Sequence, residues 1–159
     1  MTSPSSTPSP SSTRPEQPAD AALFDAVAAE HGTIYGYGLV SAHSTPDVND
    51  LVSEAMAEHR ARREEAIARL AARNVAAPLP APGYQLPIEV DSPADAAKLA
   101  VRMEEDSAVA WRAVLERASS NEDRAFAVTA LTESAVTAAQ WRQVVGTEPS
   151  TVAFPGGPE

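Results

Sequence analysis

No cysteine occurs anywhere in the 159 residues, which excludes a disulfide framework, a thiolate nucleophile, a zinc knuckle and an iron–sulfur cluster. Aromatic residues are scarce at 5%, so a sheet core built on aromatic and β-branched side chains is not expected. Positive charge is in deficit, because 12 Lys and Arg stand against 22 Asp and Glu and leave a formal net charge of −10. Clustered cations are what displace counterions from phosphate, so neither a nucleic-acid partner nor an anionic membrane surface is expected. No apolar run approaches the roughly twenty residues that span a bilayer. Met1 to Pro18 has no apolar segment of the kind a secretory signal carries, and the simplest reading is a cytoplasmic protein. A Gly-rich phosphate loop, a nucleotide fingerprint and a serine nucleophile in strand–turn–helix context are all missing, so hydrolytic chemistry has no support.

What is present points to helices. Apolar residues make up 43% of the chain and many are Ala, which favours helices and lets them approach closely. Residues 1–19, rich in Ser, Thr and Pro, are expected to be a disordered tail, because they cannot bury enough surface to offset ordering entropy. Residues 20–146 then form one domain, and 147–159, with Pro155-Gly156-Gly157-Pro158, an irregular end.

Four amphipathic stretches fall in that domain. From Ala21 to about Ser41, Leu23, Val27, Glu30, Ile34 and Tyr37 recur at spacings of four and three, one helical stripe with Asp20 as its expected cap. A second helix is expected from about Asp47 to Arg73, with Thr45 capping, Pro46 in the first turn, and Val48, Val52, Ala55, His59, Arg62, Ala66 and Leu70 on one face. A third opens at Ser92-Pro93-Ala94-Asp95 and runs to about Ala118, with Ala97, Val101, Glu104, Trp111 and Leu115 as its stripe. The fourth runs from Asn121 to Gly146, with Val128, Leu131, Ala135, Ala138 and Val145 expected inside. Gly32, Gly36 and Gly38 weaken the first helix by about 1 kcal/mol each relative to Ala, which calls either for close approach of another helix or a second subunit or for a local bend or early fray. Tyr35, Tyr37, Trp111 and Trp141 read as core aromatics. The arginines of the second helix, Arg60, Arg62, Arg63, Arg69 and Arg73, read as a face paired with Glu64 and Glu65 or as a match for an acidic patch on a second subunit.

The short links between helices one and two and between three and four make antiparallel hairpins. The link over residues 74–91 holds four prolines and is long enough to travel the length of the helices. Two hairpins joined by one long crossover is the ferritin-like antiparallel four-helix topology, with the crossover between helices two and three. In that topology metal sites take a Glu from each of two helices and Glu-x-x-His from each of the others. Here each helix offers one core-directed acid, Glu30, Glu58, Glu104 and, more weakly, Glu133. No Glu-x-x-His exists, because Ala28, Val40 and Met56 stand three residues before His31, His43 and His59.

Two readings of these acids stay open. In one, Glu30, Glu58, His59, Arg62 and Glu104 form a buried network of ion pairs and hydrogen bonds, with no cofactor and no enzymatic role. In the other, Glu30, Glu58 and Glu104 with His59 or His31 hold iron or manganese, as in a divergent metal-binding protein or oxidase. The position of Arg62 distinguishes them, because a guanidinium among the acids replaces the charge of a metal.

Several clusters together carry a resemblance: Ala29-Glu30-His31 with Tyr35-Gly36-Tyr37-Gly38; Glu58-His59-Arg60 with Arg62-Arg63; Leu99-Ala100 with Met103-Glu104-Glu105; Ala135 with Trp141-Arg142; and Phe154-Pro155-Gly156. They resemble a small actinobacterial family of ferritin-like proteins of unknown function. The resemblance implies a ferritin-like helical bundle, associating as a homodimer, with no established activity. Only Glu30, Glu58 and Glu104 match single ligand positions of the wider pattern, and the fourth helix matches none.

Overall fold

The computed structural model describes residues 12–157. Most of the expected N-terminal tail, residues 1–11, lies outside that stretch. Within it the chain is all-helical: α1 is Pro18–His43, α2 Asn49–Ala72, α3 Pro93–Arg117 and α4 Asn121–Val145. No strand occurs among the described residues.

Local chemistry sets the ends. The first helix starts three residues before the expected Ala21, because Pro18 at the first position needs no partner for a missing N–H and the Gln17 side chain, not Asp20, accepts from the Asp20 N–H. Asp20 instead sits in the first turn and receives Arg73 across to α2. Arg14, placed in the expected tail, forms a fork-like pair with Asp25. Pro46–Val48 is a separate 3-10 turn rather than the start of α2, and neither Thr45 nor Val48 caps with a side chain. Ser92 and Ser120 cap α3 and α4 by accepting from the N–H three residues on. Gly146 ends α4 at φ 78°, a left-handed conformation that costs glycine nothing.

Two apolar clusters and a polar layer between them define how the helices run. Leu23, Phe24 and Val27 early in α1 meet Ala66 and Leu70 late in α2, Trp111 and Val114 late in α3, and Ala127 and Ala130 early in α4. At the other end Tyr37 and Val40 late in α1 meet Val52 and Ala55 early in α2, Leu99 and Met103 early in α3, and Trp141 late in α4. Each hairpin is therefore antiparallel. Close backbone packing joins α1 to α2, α1 to α3 and α3 to α4. Across the edge between α2 and α4 long side chains do the bridging, Arg62 to Glu133 and Ser134 at mid-height and Arg69 and Arg73 to Asp123 at one end.

The long link after α2 lies over α1. The carbonyl of Pro78 bonds His31, the Tyr84 ring covers Gly32 and Tyr35, and Leu86 reaches Gly36. This cover explains why α1 is apolar on nearly every side, as a helix enclosed by its neighbours is. A Cβ on Gly36 would run into Met103 Sδ of α3, while one on Gly32 would meet the Tyr84 ring at 3.5 Å, an ordinary contact. Gly38 faces nothing within 4 Å.

The interior face of α4 departs from expectation. Val128 is 46% exposed, and the buried face is Ala127, Ala130, Ser134, Ala138 and Trp141. Small residues there let α3 approach closely, while of the expected set Ala138 is buried and Leu131 and Val145 are partly buried against the core.

Candidate functional site

The polar layer is built from one buried side chain of each of α1, α2 and α3, with α4 closing it. Glu30, His59 and Glu104 are each 1% exposed. His59 Nδ1 lies 2.6 Å from Glu30 Oε2 and Nε2 lies 3.0 Å from Glu104 Oε1, so one imidazole spans two carboxylates on opposite sides of its ring. An ionised carboxylate only accepts, so both ring nitrogens must carry protons and His59 is an imidazolium. Burial pushes the His59 pKa down, but the hydrogen bonds and charges of Glu104 and Glu30 outweigh it and bring it to about 9. Burial likewise pushes Glu30 up, and the His59 bond, the Arg62 charge and the Trp111 N–H more than reverse it, so Glu30 titrates below its ordinary value.

Arg62, 4% exposed, supplies the second cation. Its Nη1 is 3.4 Å from Glu30 Oε1 and donates to Ser134 Oγ at 2.9 Å, while Nη2 donates to Glu133 Oε2 at 3.1 Å. The Ser134 hydroxyl in turn donates to Ser107 at 3.0 Å. Two buried carboxylates thus face two buried cations, which offsets the cost of desolvating each of them.

Aromatic side chains cap both ends of the row. Trp111 Nε1 donates to Glu30 Oε1 at 2.6 Å. Tyr37 donates its hydroxyl to Glu104 Oε1 at 2.6 Å and accepts from Trp141 Nε1 at 3.0 Å. Burial first, then the Glu104 charge, push the Tyr37 hydroxyl well above its ordinary pKa, so it stays a donor. The sequence marked Tyr37, Trp111 and Trp141 only as core. Their polar tips could have been anticipated, because a fully buried Trp or Tyr needs an acceptor and the stripes of α1 and α3 place Tyr37 and Trp111 two helical turns past Glu30 and Glu104.

Four of the five residues expected in the cluster meet there, and Glu58 does not. It is exposed and enters none of these bonds, because a helix turns about 100° per residue and His59 takes the inward direction. Glu58 lies on the outer side, its carboxyl raised by partial burial and by the nearby Glu133 charge. His31 bonds the Pro78 carbonyl outside the layer, and His43 bonds the Leu39 carbonyl at the helix end.

This donor set does not suit a metal ion. Both nitrogens of the only imidazole in the layer face carboxylates, so no nitrogen lone pair is free, and Arg62 places a fixed positive charge beside Glu30. No group of three or more His, Cys, Asp or Glu among the described residues has the spacing of a metal site. Among the described residues, Glu104 Oε2 and Arg62 Nε are buried side-chain atoms without partners.

Comparison with known proteins places the chain without assigning it an activity. Residues 22–159 match the family described as Domain of unknown function (DUF4439). A crystal structure of a conserved hypothetical protein, rv2844, from Mycobacterium tuberculosis is 59% identical, with a TM-score of 0.80 over 82% of this chain and 98% of that one. No functionally curated protein matches. No helix among the described residues is long and apolar enough to cross a membrane.

Proposed function

We propose, for a chain that belongs to the DUF4439 family of unknown function, a ferritin-like bundle in which an imidazolium and a guanidinium stand where a metal centre would, serving as a non-enzymatic scaffold and not as an oxidase. The helix arrangement supports the ferritin-like reading: two antiparallel hairpins packed through α1 and α3, with the long link crossing over α1. The observation that carries the functional reading is His59 held by carboxylates at both nitrogens. Such a ring has no lone pair with which to ligate a metal or to accept a proton, and Arg62 completes the charge balance. Association as a homodimer and a cytoplasmic setting complete the proposal, and the net charge of −10 is in keeping with the absence of a nucleic-acid partner.

Metal content by plasma mass spectrometry tests it, on untagged protein purified without chelator and again after anaerobic incubation with iron(II) or manganese(II). The parent and a Glu104→Ala variant should both hold far less than one metal per chain. Near-stoichiometric metal in the parent that is lost in the variant would restore the metal-binding reading.

A further inference from the structure

The edge between α2 and α4, where the two backbones do not pack closely, forms a groove. Two adjoining cavities of about 210 and 390 Å³ lie along it, and Glu58 and Glu133 line both. The floor and walls mix apolar side chains, Leu51 and Ala55 from α2 and Phe126, Ala130 and the 53% exposed Val136 from α4, with threonines and Gln140 of α4. The lips are acidic. Glu54, Glu58 and Glu65 follow one another along the exposed side of α2 at spacings of four and seven, one straight row. Glu133 faces them from α4. Glu65 is paired with Arg69 and Glu133 with Arg62, while Glu54 and Glu58 form no ion pair among the described residues. Arg62 also lines the groove, and its buried Nε–H has no acceptor.

We propose that the α2–α4 groove docks a basic amphipathic helix of a partner protein, its apolar face on Leu51, Phe126 and Val136 and its Lys or Arg side chains on Glu54 and Glu58. Helix-in-groove recognition needs an apolar trough about one helix wide, and charge on the rim sets partner and orientation. A second copy of this chain is the poorer occupant, because it brings another −10 to a rim that is already negative. Docking and interior charge balance are read by different measurements, so either can fail alone.

A fluorescein-labelled Leu/Lys amphipathic peptide of about eighteen residues, titrated into the full chain at about 0.15 M salt and followed by anisotropy and amide NMR, tests the proposal. Saturable binding should shift amides in 51–65 and 126–140 and few others. Glu54→Lys/Glu58→Lys, and separately Val136→Asp, should each weaken binding by about tenfold or more. A Glu89→Lys/Asp91→Lys control, which makes the same charge change on the exposed crossover, should weaken it by less than about twofold. No binding, equal losses in both charge-reversal variants, shifts spread over the acidic surface, or a parent dimer that already covers the groove would each overturn it.

Discussion

His59 takes a proton more tightly when folded than when unfolded, and stability must follow pH accordingly. Its folded pKa of about 9 lies above the ordinary 6.5. The stabilisation is therefore complete below about pH 6.5 and lost as pH rises through about 9, amounting to roughly 3 kcal/mol at about 1.4 kcal/mol per unit. Glu30 runs the other way. Its lowered pKa gives stability that is present above its ordinary value of 4.5 and lost as pH falls through the lower folded value. Urea unfolding across this range should show a plateau near pH 5 to 6.5 and a decline beginning on the alkaline side well before lysine titrates, by about the amount given. Glu30→Gln keeps the shape but leaves two buried cations facing one carboxylate, so it should cost about 3–5 kcal/mol in the same assay.

At this scale the sequence revealed the inward acids because polar residues interrupted apolar stripes. Glu30 and Glu104 were found in that way, and Arg62 by its place on the face of Val52 and Leu70. Glu58 was misplaced although the spacing of Val52, Ala55, His59, Arg62 and Ala66 already put His59 on the inward face, from which its neighbour is turned by about 100°. The bonds from Trp111, Tyr37 and Ser134 depend on positions on other helices, which no single stripe encodes.

Among the elements, α1 carries the clearest test of the packing. Gly38 has open space, so Gly38→Ala should raise stability by about 0.5–1 kcal/mol through helix propensity. Gly36→Ala should give no such gain, since its methyl displaces Met103. Thermal unfolding of the two variants separates these outcomes. Where α2 ends and α4 begins, the Asp123 carboxylate takes both Arg69 and Arg73 while its backbone N–H donates to the capping Ser120 hydroxyl. Asp123→Ala should cost about 1–3 kcal/mol by stranding two partly buried guanidinium groups, measured by urea unfolding. Helix ends were legible where a motif is self-contained, as at Ser92-Pro93 and Gly146. They were not where two residues compete to cap, as Gln17 and Asp20 do. The buried side of α4 escaped in part because alanine and serine face inward while Val128 and Val136 face water.

For the molecule as a whole, the polar layer at mid-height lies between two apolar clusters, and charged side chains of α1, α2 and α3 meet in it. Hairpin pairing followed from link lengths, and the long proline-bearing link followed from its reach. That this link would seat on α1 at Gly32 and Gly36 required knowing where Tyr84 and Leu86 fall. The central claim, that protonated His59 and Arg62 occupy the layer in place of metal, is tested most directly by the ¹⁵N NMR spectrum of the His59 ring across pH in the native protein. The account predicts two protonated nitrogens at neutral pH, titrating near 9 and unmoved by added iron(II) or manganese(II). A neutral ring with one bare nitrogen, or a signal lost on adding one equivalent of either metal, would contradict it.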